Sequence, residues 1–222
     1  MLQPPRHRLD APGLYVHRED PAIRFDVIEA EEASIAARIA AEDPADHDRL
    51  ASAYRHPWRR YASGEGRFDL DARYPLYTGA KGDDIGTRSA RDYLDAGATI
   101  FTLRRLSRTE REQVGALLSS DRAGTVHRLG RPLEDVLAAA HADDLNRIHA
   151  TRLAVVFGLT GIQGWHRPWP AGEVTIEMLD DLDAVGGPAL LHGLAMAIIT
   201  HGDPLRRSEG LPSASPGIEP SR

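Results

Sequence analysis

Between Thr99 and Leu118 the hydrophobic period of the chain changes once, and abruptly. Thr99-Ile100-Phe101-Thr102-Leu103-Arg104 is rich in β-branched and aromatic residues, which suit a pleated strand. Just beyond it, Ser107 and Glu110 stand in S-x-x-E spacing. In that arrangement the hydroxyl accepts the N–H three residues on, and the carboxylate accepts the N–H of the serine. Two amides that a helix start leaves unpaired are thereby satisfied. Val114, Leu117 and Leu118 continue at helical spacing, which predicts a helix over Ser107–Ser119. A chain with a strand before this point and helices after it belongs to the α+β class.

Helical signals dominate from there on. Arg131-Pro132 leads into a predicted long helix over Leu133–Leu159, with Leu137, His141, Leu145, Ile148, Arg152, Val155 and Leu159 as its stripe. Gly161, Gly164, Pro168, Pro170 and Gly172 predict a loop. Thr175–Asp183 reads as a short helix broken by Gly186-Gly187, and Pro188 suits the first turn of a last helix ending near Thr200.

The first half is less regular. Pro4, Pro5, Pro12 and Pro21 predict an extended arm over 1–21. Ile23, Phe25 and Val27 alternate with other residues as in a short strand. Glu29–Ala41 carries Ile35 and Ile39 four apart, a narrow helical stripe that Asp43-Pro44 ends. A short helix over Asp46–Tyr54 should stop at Pro57. Residues 62–88 are rich in glycine turns and include one possible strand, Arg67–Asp71. The organisation expected is an arm (1–21), a small irregular β-containing region (22–106), a mainly helical region (107–202) and a disordered tail (203–222).

Composition narrows the function classes. There is no cysteine, so disulfides, thiolate metal sites and cysteine nucleophiles are excluded. A net charge of −6 argues against general nucleic-acid binding. The first residues lack the apolar core of a signal peptide, and the longest apolar segment, Leu190–Ile199, is interrupted by His192 and Gly193. A soluble chain without a membrane partner is the expectation.

Catalytic motifs are missing. His141 and Asp144 are three apart on the long helix and would share a metal, but His149 is two turns from His141 and H-E-x-x-H is absent. There is no G-x-S-x-G and no phosphate-binding G-x-x-x-x-G-K-[ST]. Asp143-Asp144 and Asp180-Asp181 read as solvated helix faces. No catalytic residue, metal ligand or cofactor site is therefore assigned. A hydrolase would need His141 and Asp144 gathered with His56 or His192.

Two arginine clusters stand out. Arg55, Arg59 and Arg60 bracket Trp58 and Tyr61, and Arg104, Arg105, Arg108 and Arg111 straddle the strand-to-helix junction. Arginine beside aromatic rings suits phosphate or base stacking. The plainer expectation is pairing with the acidic stretches Glu29–Glu32 or Asp43–Asp48. The segment Gly164-Trp165-His166-Arg167-Pro168-Trp169-Pro170 holds two of the three tryptophans. Trp165 is expected to fold back on Val155, Val156 and Leu159, whereas Pro168 and Pro170 should hold Trp169 outward as an interface anchor. The candidate partner-binding residues are Trp169, Arg167, His166, Trp58, Arg59 and Arg60.

The run Ala98–Ser107 with its charged helix resembles small tailed-phage and prophage proteins. Leu153–Ile199 does too, where an apolar helix ends in Gly158-Leu159-Thr160-Gly161 and Gly164-Trp165, followed by a Pro/Gly loop and two helices. The order is similar to tail assembly chaperones and related minor virion proteins, over residues 98–200. The resemblance implies a non-catalytic protein that binds other phage structural or assembly proteins, in the host cytoplasm during assembly or in the virion, with self-association also open. The alternatives are a small nucleic-acid-contacting accessory protein and a His/Asp-dependent hydrolase.

Overall fold

A computed structural model of the chain describes residues 12–64, 68–79, 86–126, 133–169 and 174–201, with side chains described outside 119–143. The fold is α+β, with the sheet-forming segments mostly in the first half and long helices in the second. In order come β1 (Gly13–Tyr15), α1 (Phe25–Ala40), α2 (His47–Ala53), α3 (Pro57–Ala62), β2 (Tyr74–Pro75), β3 (Thr87–Arg88) and β4 (Ile100–Leu103). Then follow α4 (Arg108–Val126), α5 (Leu133–Gly158), β5 (Leu159–Gln163) and α6 (Ile176–Thr200). Short 3-10 turns cover Pro44–Asp46 and Ala90–Tyr93.

The sheet that organises the molecule is antiparallel, in the order β1-β4-β5. β4 lies in its middle, and side chains alternate across a strand. Phe101 and Leu103 enter the main core with Val155, Leu159, Leu182, Leu194 and Ile198. Ile100 turns the other way, into a second core with Ile23, Ile28, Trp58, Tyr61 and Tyr93. Strand pairing and the main core thus join residues on both sides of position 106.

The capping box forms as the sequence predicts. Glu110 N–H donates to Ser107 Oγ at 3.3 Å and Ser107 N–H to Glu110 Oε2 at 2.7 Å. The same carboxylate pairs with Arg104 at 2.6 Å, so it ties the end of β4 to the start of α4. Asp43 caps the 3-10 turn that closes α1, accepting from Ala45 N–H at 2.9 Å. Within α6, Gly187 takes φ 68°, a left-handed conformation that glycine tolerates, and Pro188 starts the second half.

Several expectations are corrected. Gly13–Tyr15 is strand, and Val16 is buried, so the arm predicted over 1–21 is built into the fold from residue 12 on; residues 1–11 and the predicted tail lie outside the described residues. The alternation of Ile23, Phe25 and Val27 is not a strand. Ile23 makes one bridge to Leu94, and α1 already begins at Phe25. Phe68–Asp71 is turn rather than strand, with Phe68 at φ 58°. Pro57 does not merely end a helix: it occupies the first turn of α3, where its missing N–H costs nothing. Leu159–Gln163 is strand, not loop, because the edge of β4 supplies hydrogen-bond partners that a local reading does not see.

The buried face of α5 is also displaced. Ala150, Ala154 and Val155 pack inward, while Leu145 and Ile148 face solvent. Finally, α6 is long and apolar enough, by length and composition, to cross a membrane, contrary to the reading of its interrupted apolar run. Here Leu182, Leu190, Leu194 and Ile198 on it are core residues.

Candidate interaction surfaces

The segment after β5 is pinned to α6 by one carboxylate. Asp181 accepts from the Trp165 indole N–H at 2.8 Å and pairs with Arg167 at 2.7 Å; His166 lies 3.6 Å away. The Trp165 bond, with Arg167 beside it, holds the Asp181 carboxyl below the usual aspartate range. Trp165 sits edge-on to Phe101, 6.3 Å between centroids, against the main core. Trp169 is not outward. It is half-buried against the same core, with its indole N–H enclosed and without a partner among the described residues. His166 and Arg167 are the members of this group that remain exposed.

The Trp58 cluster is divided by burial. Trp58 is only 2% exposed and stacks near Tyr61 in the second core, so it offers no surface. Arg59 pairs with Glu32 through two hydrogen bonds of 3.0 Å, which bears out the pairing with Glu29–Glu32. Arg60 donates to the Arg55 carbonyl and lies over the Tyr74 ring. The second arginine cluster is likewise engaged: Arg104 with Glu110, and Arg108 with Glu112. Arg59, Arg104 and Arg108 thus each face a carboxylate.

Two grooves flank α6. One, of about 470 Å³, lies between β1 and α6 and is lined by Tyr15, His17, Phe68, His192 and Met196. Burial pushes the Tyr15 hydroxyl up to about 12 and pushes His17 down. The Tyr15 hydroxyl is 3.3 Å from His17 Nδ1. Gly193 permits this approach, since a Cβ there would fall 2.6 Å from the Tyr15 oxygen. A glycine within the second half of α6 is the one sequence signal for this contact.

The other groove, of about 500 Å³, lies between α5 and α6 at the Gly187 kink. Ile148, Pro188 and Leu191 form its apolar part, and Arg147, Arg152, Asp183 and His192 its polar part. Arg152 pairs with Asp180 and Arg147 with Asp144. Large apolar side chains stand exposed on both helices: Leu145, Ile148, Val185 and Met196.

Among the described residues a hydrolase would need, His56, His192 and Asp144 lie in separate settings. His56 is buried in the second core region, His192 is exposed on α6, and Asp144 is held by Arg147; the side chain of His141 lies outside those described. Among the described residues no group of three His, Asp or Glu is placed to hold a metal ion. Compared with known proteins, the chain matches no family model, no curated protein and no solved structure.

Proposed function

We propose that this chain works by binding other proteins, as a non-enzymatic structural or tail-assembly protein of a tailed phage or prophage. The observation that carries the binding reading is the exposure of Ile148 and Val185, at 52% and 58%, on α5 and α6. Large apolar side chains in water gain by being covered. The groove beside Ile148 gives an anchoring side chain somewhere to insert. Exposed His166 and Arg167 add a polar rim on the loop that Asp181 holds in place. The phage assignment rests on the resemblance over residues 98–200. It implies action in the host cytoplasm during assembly and partners among the virion proteins.

The experiment is co-expression with virion proteins encoded beside this chain, followed by co-purification. Ile148→Asp and Val185→Asp should leave melting temperature nearly unchanged, as surface substitutions do within about 0.5 kcal/mol. Each should abolish or sharply reduce recovery of the partner. Undiminished recovery with both variants would remove the α5–α6 face from the reading. No recovery by the unaltered chain would remove the assembly role.

A further inference from the structure

We propose that β1 is a releasable strand, gated by His56, which in its neutral form keeps β1 in the sheet and on taking up a proton lets it leave and uncover the edge of β4. The argument starts with how little holds β1. It has three residues and, among the described residues, pairs with β4 over Gly13, Leu14 and Tyr15. The remaining backbone contacts come from outside the sheet. The Tyr61 hydroxyl donates to the Leu14 carbonyl at 3.0 Å and accepts from Val16 N–H at 2.7 Å, while Leu14 N–H donates to the Phe68 carbonyl at 2.9 Å. Tyr61 therefore clamps both sides of Tyr15, and the clamp belongs to α3.

Helix α3 has six residues, too short to persist without tertiary support. Its start is held by His56, 1% exposed, whose Nδ1 accepts from Trp58 N–H at 3.1 Å. That bond fixes the tautomer: the ring proton is on Nε2, which donates to Glu31 Oε2 at 3.2 Å. Tyr93 O–H donates to the same oxygen at 2.6 Å. A protonated imidazole has donors at both nitrogens. Nδ1–H would then face the Trp58 N–H, donor against donor, and the cap would be lost.

The surrounding groups set the direction of the response. From α1, Glu31 and Glu32 favour the charged ring; Arg59 on α3 opposes it; the neutral Tyr93 ring lies 4.6 Å away. Burial outweighs the carboxylates and keeps His56 below the ordinary histidine range. The sign follows: the fold binds this proton less well than the unfolded chain. Stability from neutral His56 is complete above pH of about 6.5 and declines as pH falls below it. The strand uncovered is Ile100-Phe101-Thr102-Leu103, which carries no charge to discourage pairing with another strand.

The test is amide hydrogen exchange on the whole chain between pH 7.5 and 5, corrected for intrinsic rates. Protection at Val16 and Trp58 should fall by about tenfold or more on acidification, since each pH unit below the unfolded value changes the balance by up to tenfold. Amides pairing β4 with β5 should change less than about threefold over the same range. His56→Asn keeps a capping acceptor that does not titrate; it should abolish the acid-induced loss. Tyr61→Phe should leave Val16 poorly protected at both pH values. His17→Asn and His201→Asn, which alter the half-buried histidine that follows β1 and the buried one packed on Gly13, should each leave the acid response intact. If His56→Asn fails to fold, the imidazole nitrogen shifts of the unaltered protein serve instead, and must show His56 gaining its proton as Val16 loses protection. The proposal is overturned if the acid response survives His56→Asn or disappears in His17→Asn or His201→Asn. It is also overturned if His56 stays neutral while Val16 opens.

Discussion

Gly158 and Ile198 are packed so closely that a Cβ on the first would sit 2.2 Å from Cγ2 of the second. The glycine ends α5 and Ile198 belongs to the last turns of α6, so this contact sets how near the two helices approach. Gly158→Ala should destabilise the fold by about 1–3 kcal/mol, the usual cost of forcing a methyl into a packed core. Adding Ile198→Ala should recover part of that loss, so the double variant melts higher than the sum of the single effects requires. Additive melting shifts would show that the helices are spaced by other residues.

Asp181 should control the environment of Trp165. Asp181→Asn leaves a neutral acceptor for the indole N–H but removes the charge that Arg167 pairs with. Asp181→Ala removes both. Tryptophan emission should shift to the red in the order Asp181→Ala, Asp181→Asn, unaltered protein, with melting temperature falling in parallel. An unchanged spectrum in Asp181→Ala would mean that core packing alone holds the ring.

Both loop tryptophans are packed, and their truncations should show it. Trp165→Ala should cost about 3 kcal/mol, toward the low end for aromatic-to-alanine changes in cores, because the ring is only half-buried. Trp169→Ala should cost clearly more than the roughly 0.5 kcal/mol of a surface change. Denaturant titration measures both. A neutral Trp169→Ala would restore the outward-facing anchor that its flanking prolines suggest.

Glu110 should give the fold part of its acid sensitivity. Arg104 and the Ser107 amide hold its carboxyl down to about 2. A carboxylate lowered in this way stabilises the fold above its unfolded value near 4.5, and the contribution is lost as pH falls from about 5 toward 2. Melting curves of Glu110→Gln and the unaltered protein should differ at pH 7 and converge toward pH 2. A constant difference across that range would assign the effect of the substitution to packing.

The local signals were the legible ones. The Ser107–Glu110 box, the Asp43-Pro44 stop and the Gly187-Pro188 break each act within a few residues, and each is where the sequence places it. β4 was legible because its composition is unambiguous. β1 and β5 were not: Gly13-Leu14-Tyr15 and Leu159–Gln163 become strands only because β4 presents both edges to them, at separations no local pattern carries. The face of α5 was misread for a similar reason. Leucine and isoleucine were expected inside, but the close approach of α6 at Gly158 favours Ala150 and Ala154 there and turns Leu145 and Ile148 outward. At the surfaces, exposed His166 and Arg167 were visible as an unusual run. Asp181, their anchor, lies fourteen residues from Arg167 and carries no mark of its own.

The junction of α5 with β5 has no connecting loop. Gly158 closes the helix, Leu159 opens the strand, and the Gly158 carbonyl already accepts from Arg104 N–H on the neighbouring strand's end. β5 already departs from regular register at its first residues, where Leu103 pairs with Leu159 but Thr102 with Gly161, so Thr160 is the extra residue. The long helix therefore runs into the strand that β4 pairs with, with no linker residue between the two elements.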